Sequence, residues 1–321
     1  MVRQLLAFVL HLAVGLSSFA AFAQHYPDRP VRIIIPNAPG GGTDTFGRVL
    51  SQKLGEIFQQ TVIIENRPGA QGNIGTALGA KAAPDGYTLT LAYVSSFAVS
   101  PHVYSNIGFD PLKDFVPVAL GVRQPYLLVT GPGAAFSTMR ELAQAAKSRP
   151  NALTFASTSS QTELIGVVFQ MMTDTRMLYV PYKTATVAVV ELSRGEVDVM
   201  VASLPSAIPF VHSGKLKPIA VTGGERIVAL PDVPSAREAG YPEFDVSGWY
   251  GIVAPAGTPP DIVRILNTQI NRVLAMPDVQ ETLRAAGFEP SPISAEAFGQ
   301  LIREDYARWG KVVEASKKLK Q

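Results

Sequence analysis

Short apolar runs alternate with amphipathic stretches along most of the chain. Val31–Ile35 is a β-branched run, which is typical of a buried strand in a parallel sheet. Apolar residues then recur at helical spacing over 45–58, where Thr43 or Asp44 stands in position to cap the first turn. A second strand is predicted at 61–64. This order of strand, loop and helix predicts α/β architecture.

The same alternation continues to the end of the chain. Thr138 and Glu141 have the spacing of a capping box, and Gly287 stands where a helix would end. Repeated alternation favours parallel α/β sheets in both halves of the chain. The further predicted strands are 87–92, 126–130, 153–156, 177–180, 197–202, 216–222 and 249–254; the predicted helices are 74–83, 139–148, 164–173, 187–194, 206–212, 261–275, 278–286 and 295–318.

The N-terminal residues have the pattern of a secretory signal peptide. Arg3 precedes an apolar run over 5–16, and Ala21 and Ala23 form a small-residue cleavage site. The run is shorter than the roughly 20 residues that span a bilayer, so a retained membrane anchor is the less favoured alternative. We expect residues 1–23 to be removed and the mature protein to be exported.

Composition narrows the class of protein. The 321 residues exceed what one ordinary core supports, so two domains are expected. Lys and Arg total 28 against 26 Asp and Glu, and this near balance argues against nucleic-acid binding. The chain has 0 Cys, which removes disulfides, thiolate metal sites and cysteine nucleophiles from consideration.

A glycine triplet between the first strand and helix is the strongest local feature. Gly40, Gly41 and Gly42, with Thr43 and Asp44, would let backbone N–H groups at a helix N-terminus approach an anion closely. The loop matches neither a P-loop nor a dinucleotide-binding fingerprint, so a carboxylate fits better than a nucleotide. The alternative is a tight connection that binds nothing.

Two other loops could face the same ligand. Residues 68–75 form a second glycine-rich connection after a strand, and parallel strands would bring both loops to one sheet edge. The run 157–162 supplies hydroxyl and amide groups between a later strand and helix. Such a run is more often only a loop and an N-cap.

Motifs for catalysis are missing from the sequence. It contains neither a G-x-S-x-G nucleophile elbow nor an H-E-x-x-H zinc helix, and its four His are scattered. We therefore expect a binding protein without enzymatic activity, cofactor or metal.

Several long motifs occur in order between Tyr26 and about Val313. They are YPDRPVRIIIP, PGGGTD, VIIENRPGAQGNIG, PDGYTL, DPLKDFVPV, VPYK, LPDVPSAREAGYP and APAGTP. Together these motifs resemble the periplasmic substrate-binding receptors of tripartite tricarboxylate transporters, also called Bug receptors.

This resemblance implies a two-lobed type II periplasmic binding protein, or Venus flytrap, that closes on a small organic acid or amino acid. Lobe 1 would comprise 24–123 and 247–321, lobe 2 would comprise 124–246, and the crossovers would lie near 121–125 and 245–249. The receptor would be monomeric and would deliver its ligand to membrane transporter subunits. By the same resemblance, the ligand contacts would be Gly40, Gly41, Gly42, Thr43, Asp44, Ser95, Ser96, Ser157, Thr158 and Ser159.

The chain departs from the family pattern in its second lobe. The loop 157–163 is about two residues shorter than in similar receptors, lacks their glycines and has Glu163 in place of a His. Asn37 and Thr184 also replace the usual residues. These departures predict a ligand that differs from a simple dicarboxylate, or a partial loss of binding capacity.

Two other functions stay open from the sequence. A receptor that presents its closed form to a membrane sensor kinase would have the same cleft. A secreted hydrolase is disfavoured because the nucleophile and metal motifs are missing.

Overall fold

The computed structural model describes residues 26–182, 184–244 and 246–319, and the predicted signal peptide lies outside them. Within these residues the strands are β1 Val31–Ile35, β2 Val62–Asn66, β3 Thr88–Tyr93, β4 Phe115–Thr130, β5 Thr154–Ser157, β6 Leu178–Pro181, β7 Val199–Ser203, β8 Lys217–Val221, β9 Ser247–Pro255 and β10 Glu289–Pro290. The α-helices are α1 Gly42–Phe58, α2 Asn73–Ala80, α3 Ser100–Val103, α4 Met139–Ser148, α5 Ser160–Thr173, α6 Ala185–Arg194, α7 Leu204–His212, α8 Pro260–Leu274, α9 Pro277–Ala285 and α10 Ala295–Leu319.

The strands form one continuous hydrogen-bonded path across two lobes. Its order is β2-β1-β3-β9-β4-β7-β5-β6, and β8 and β10 both pair with β4. β1 is parallel to β2 and β3, and β5 is parallel to β6 and β7. The expectation of parallel sheets is met only in part, because β4 and β9 run antiparallel to their neighbours. Both sheets are therefore mixed.

The long strand β4 belongs to both lobes. Its first part, from Phe115 to Pro125, pairs with β9, and from Tyr126 onward it pairs with β7. The sequence predicted only 126–130 as strand, since Pro117 and Pro125 interrupt the earlier apolar run. The structure accommodates Pro117 with a register irregularity before Ala119.

Thr222 connects the segments that cross between the lobes. Its hydroxyl accepts a hydrogen bond from the Tyr126 N–H at 2.9 Å and donates one to the Val246 carbonyl at 2.5 Å. Its backbone N–H donates to the Tyr126 carbonyl at 2.8 Å. One fully buried side chain thus fixes both crossing segments.

Three apolar clusters among the described residues stabilise the two lobes. Ile33, Phe46 and Phe288 belong to the first-lobe cluster, while a separate cluster in the second lobe contains Leu192 and Leu204. The largest cluster joins the lobes, because Phe97 and Trp249 of lobe 1 share it with aromatic and aliphatic residues of lobe 2, among them Phe155, Ile165, Phe169 and Phe244. The helix α5 also packs against α10 and the turn Ser95–Val99.

Most predicted helices lie within a few residues of their expected ends. The capping box of Thr138 and Glu141 is present at α4, and Gly287 has a left-handed φ of 79° just beyond α9. The largest differences at helix starts are at α1 and α5, which begin three and four residues earlier than expected. Both differences concern the candidate site.

Candidate functional site

The first glycine loop ends in an uncapped helix N-terminus. Gly41 is the N-cap residue of α1, with φ −87° and ψ 175°, and no side chain caps the helix. The prediction that Thr43 or Asp44 caps the first turn is wrong, because both residues lie inside that turn. The N–H groups of Gly42, Thr43 and Asp44 consequently have no acceptor within the helix.

Asp44 holds the glycine loop in place. Its Oδ2 accepts hydrogen bonds from the Gly40 N–H at 3.0 Å and from Arg48 Nε at 2.8 Å, and its Oδ1 accepts one from Asn66 Nδ2 at 3.0 Å. Burial alone would raise the pKa of Asp44, but the hydrogen bonds from Arg48, Gly40 and Asn66 outweigh it and lower that pKa. Asp44 is therefore an ionised carboxylate that already faces three donors.

Tyr93 connects the two glycine loops. Its hydroxyl contacts the Gln71 carbonyl at 2.7 Å and Asn37 Oδ1 at 3.3 Å. Gly72, in the second loop, has a φ of 90°, and a methyl group there would overlap the Tyr93 hydroxyl. The expectation that both loops meet at one sheet edge is confirmed.

Gly42 is enclosed by aromatic side chains. A methyl group at this position would lie 3.0 Å from Tyr250 Oη and 3.1 Å from Phe288. Burial raises the pKa of Tyr250, Tyr93 adds to that rise, and a hydrogen bond with Gln124 opposes it. Gly42 therefore permits close packing of the helix N-terminus onto β9.

Ser95 and Ser96 occupy different environments after β3. Ser95 Oγ donates a hydrogen bond to Gln161 Oε1 of the second lobe at 3.2 Å. Ser96 is fully buried, and its Oγ donates to the Tyr93 carbonyl at 3.2 Å. Of these two predicted residues, only Ser95 joins the lobes through its side chain.

The hydroxyl run of the second lobe is largely bonded to itself. Ser157 is fully buried, and its Oγ contacts Tyr179 Oη at 3.1 Å. Ser159 is the N-cap of α5 and forms a capping box with Thr162. The expectation of a loop through 162 is wrong from Ser160 onward, because α5 begins there. Thr158 is half-buried between the two serines.

Gln161 lies in the hydroxyl and amide run 157–162 but is not among the contacts predicted from the resemblance. It lies in the first turn of α5 and is only 4% exposed. The capping spacing of Ser159 and Thr162 would have placed it at the helix start, although its contact with Ser95 depends on how the lobes pack. Tyr250 was also missed, since its position relies on antiparallel pairing of β9 with Tyr93.

Comparison with known proteins identifies the family. The family model described as tripartite tricarboxylate transporter family receptor matches residues 46–317. The chain belongs to this family. It is 36% identical over 324 residues to BugT of Bordetella pertussis, an alignment that covers 100% of this chain and 99% of BugT. That alignment includes the first glycine loop, which precedes the residues matched by the family model.

Solved structures of similar proteins support the receptor fold. A structure of an R. palustris protein with adipate has a TM-score of 0.81 and 32% identity, covering 91% of this chain and 98% of that one. MatC from Rhodopseudomonas palustris with bound malate has a TM-score of 0.77 and 32% identity, covering 90% and 100%. The periplasmic binding protein BugD has a TM-score of 0.76 and 32% identity, covering 91% and 99%. The two-lobed binding-protein fold of this receptor is thereby confirmed.

The receptor's cavities do not by themselves indicate the binding site. A cavity of about 740 Å³ lies in the second lobe, where Phe136, Arg149, Arg194 and Asp198 are among its lining residues. None of the predicted site residues lines it. The candidate site is therefore marked by buried hydrogen-bonding groups and not by a large cavity.

Two features are missing from the part of the receptor that the structure describes. Its His, Asp and Glu side chains form no group of three that could hold a metal ion. None of its helices has the length and apolar character required to cross a membrane.

Proposed function

We propose that this receptor captures a small carboxylate-bearing organic acid in the periplasm and delivers it to the membrane subunits of a tripartite tricarboxylate-type transporter, without chemical turnover. In this proposal, residues 1–23 are a cleaved signal peptide and the mature receptor acts as a monomer. Lobe 2 comprises 124–246, and the flanking segments form lobe 1. The change of partner strand at Pro125 and Tyr126 supports the first boundary.

The uncapped N-terminus of α1 is the observation that carries this proposal. Its first-turn N–H groups, from Gly42 to Asp44, lack acceptors in the helix, and the positive end of the helix dipole favours an anion. A carboxylate offers two acceptor oxygens, which match a short row of N–H donors. The adipate and malate held by the two related structures have this chemistry.

The predicted site residues take different roles in the proposal. Backbone N–H groups of Gly42, Thr43 and Asp44 bind the carboxylate, while the Asp44 side chain holds the loop through Gly40. Ser95 and Thr158 face the ligand. The buried hydroxyls of Ser96 and Ser157 and the capping hydroxyl of Ser159 support the surrounding backbone.

A thermal unfolding screen of residues 24–321 tests the proposal. Succinate, malate, adipate and citrate are compared with the uncharged amides of the same acids. An acid at about 100 times its Kd should stabilise the folded receptor by about 2.7 kcal/mol. Stabilisation by an amide but by none of the acids would disprove carboxylate recognition.

The proposed membrane partner of the receptor is tested in a separate binding experiment. The ligand-loaded receptor should bind the transporter's membrane subunits in detergent more tightly than the ligand-free receptor does. Binding to a membrane sensor kinase, with none to transporter subunits, would support the sensing function instead. Steady hydrolysis of an ester or amide that is lost with one Ser substitution would contradict a function without turnover.

A further inference from the structure

Gln161 carries a buried hydrogen-bond donor that the protein itself does not satisfy. Its Oε1 accepts the hydrogen bond from Ser95 Oγ at 3.2 Å, whereas its Nε2 has no hydrogen-bond partner among the described residues. The residue is 4% exposed. A buried polar group without a partner is uncommon in native proteins and indicates that something else meets it.

The contact with Ser95 fixes where this donor lies. Ser95 follows the carboxyl end of β3, and β3 is parallel to β1, with Ile34 opposite Thr90. The strand β1 leads directly into the first glycine loop, and Tyr93 at the end of β3 contacts Asn37 of that loop. Gln161 therefore belongs to the second lobe but is held at the sheet edge that carries the glycine loop.

Neighbouring polar groups of the second lobe are already engaged. Ser157 Oγ contacts Tyr179 Oη and the Ser159 carbonyl, at 3.1 and 3.3 Å. Ser159 Oγ accepts from the Thr162 N–H at 3.2 Å and contacts the Thr162 hydroxyl at 3.0 Å. In contrast, the Gln161 amide can donate two hydrogen bonds through Nε2 while its oxygen stays with Ser95.

We infer that Gln161 is a specificity-determining residue that donates a hydrogen bond to an acceptor oxygen at the far end of the ligand, such as a second carboxylate. This inference rests on the proposed function, in which the first carboxylate binds at Gly42, Thr43 and Asp44. Ser95 is a positioning residue, because it holds the amide oxygen and so turns the amide nitrogen toward the ligand. With the first-turn N–H groups of α1 at one end of the ligand and the Gln161 amide at the other, the receptor would select a ligand that carries oxygen at both ends.

Matched acids separate the contribution of Gln161 from that of the helix. Adipate and hexanoate have the same chain length but two and one carboxylates, and succinate and butyrate form a second pair. Isothermal titration at pH 7 measures each Kd. The wild-type receptor should bind one of the diacids about 10- to 100-fold more tightly than its matched monoacid, as expected for a hydrogen bond to a charged group.

Substitution of Gln161 should remove this preference. Q161M keeps the size of the side chain but not the donor, so the diacid should bind about 10- to 100-fold more weakly and the monoacid within threefold of wild type. Q161E replaces the donor with a carboxylate and should weaken the diacid further. Q144E, at an exposed position of α4, adds the same charge to lobe 2 and should leave both affinities unchanged.

The role of Ser95 is tested by the same comparison of diacid and monoacid affinities. S95A frees the amide to turn, so it should lower the preference for the diacid partially, with the unliganded melting temperature close to that of Q161M. A merely structural effect would weaken diacid and monoacid equally.

The outcomes distinguish this inference from the proposed function. If wild type binds none of these four acids and none of the acids in the thermal screen, the carboxylate proposal fails and this inference fails with it. If wild type binds a diacid and G41D lowers that affinity at least about 100-fold, but Q161M retains the full preference, only the role of Gln161 is disproved. Equal losses for both acids in a folded Q161M also overturn it.

Discussion

An aspartate at position 41 would place the receptor's own carboxylate where the ligand's carboxylate is proposed to bind. Gly41 is the N-cap of α1, and its φ of −87° and ψ of 175° are accessible to any residue. A side chain at this position enters open space, since its Cβ would be 4.0 Å from its nearest neighbour, the Ala38 carbonyl oxygen. G41D should therefore fold normally and cap the helix.

G41D should increase the free energy of unfolding of the ligand-free receptor while it lowers the affinity for the ligand. Replacing glycine at an accessible φ adds about 0.4–1 kcal/mol to the free energy of unfolding. A negative charge at the helix N-terminus adds about 0.3–1 kcal/mol, part of which is lost to repulsion by the nearby Asp44 carboxylate. The net expectation is a gain of about 0.5–1 kcal/mol for the ligand-free receptor.

Ligand binding should weaken strongly for two reasons. Two carboxylates about 4 Å apart repel each other by about 1 kcal/mol in water and about 4 kcal/mol at an effective dielectric constant of about 20. The new side chain also occupies N–H donors that the ligand would use. Together these effects predict an affinity for the bound acid at least about 100-fold lower.

G41N is the matched control, because asparagine caps a helix about as well as aspartate but carries no charge. Isothermal titration should give a much smaller loss for G41N than for G41D, and raising the salt from 0.15 to 0.5 M should reduce the difference. Urea unfolding should give both variants the stability of wild type or more. Equal affinities for G41D and G41N would refute binding of the ligand's carboxylate at this helix end.

Two further predictions concern the framework around the cleft. T222V removes the hydroxyl that bonds the Tyr126 N–H and the Val246 carbonyl. Urea unfolding should show that the free energy of unfolding falls by about 2–4 kcal/mol, because both backbone groups stay buried without a partner. A loss below about 1 kcal/mol would contradict this role of Thr222. Asp305 Oδ2 accepts a hydrogen bond from Trp249 Nε1 at 2.7 Å, and burial raises the pKa of this carboxyl group. The contribution of Asp305 to the free energy of unfolding is therefore complete below the ordinary pKa of an aspartate and declines as the pH rises above that value. D305N keeps a hydrogen-bond acceptor but carries no charge, so its melting temperature relative to wild type should rise between pH 3.5 and 7. A difference in melting temperature that stays constant over this range would contradict the destabilisation by a buried charge at Asp305.

Local patterns in the sequence were sufficient for most helices and for the glycine loop of the candidate site. The apolar run of β1, the glycine triplet and the periodic residues of α1 are contiguous, so their order alone predicts a helix N-terminus at a sheet edge. The capping box at Thr138 has the same local character. Such features depend on residues within one or two turns of each other, and the structure retains them with small shifts.

Long-range pairing was the part that local patterns could not predict. Pro117 and Pro125 hide the continuity of β4, because an isolated proline indicates the end of a strand unless an irregular register accommodates it. The return of the chain as β9 makes the first-lobe sheet mixed and brings Tyr250 beside Tyr93. These contacts join residues that are far apart in sequence, and no spacing rule connects them.

The second-lobe loop illustrates a different difficulty. A hydroxyl can contact a ligand or satisfy the adjacent backbone, and the composition of 157–162 is the same in either case. In the structure, Ser157 and Ser159 bond within their own lobe, while Gln161 contacts Ser95 across the cleft. The choice between these roles depends on where helix α5 begins and on which lobe it faces.

An acidic residue at a proposed anion site would ordinarily argue against the site. Asp44, however, is 4% exposed and directs its carboxylate to Gly40, Arg48 and Asn66. These donors offset its charge and keep it ionised, so that it fixes the loop from behind while the N–H groups of the first turn remain available. Removing the carboxylate would free the Gly40 N–H but would also release the loop. In the proposed site, binding an anion thus depends on a second carboxylate, whose lowered pKa favours the ionised form.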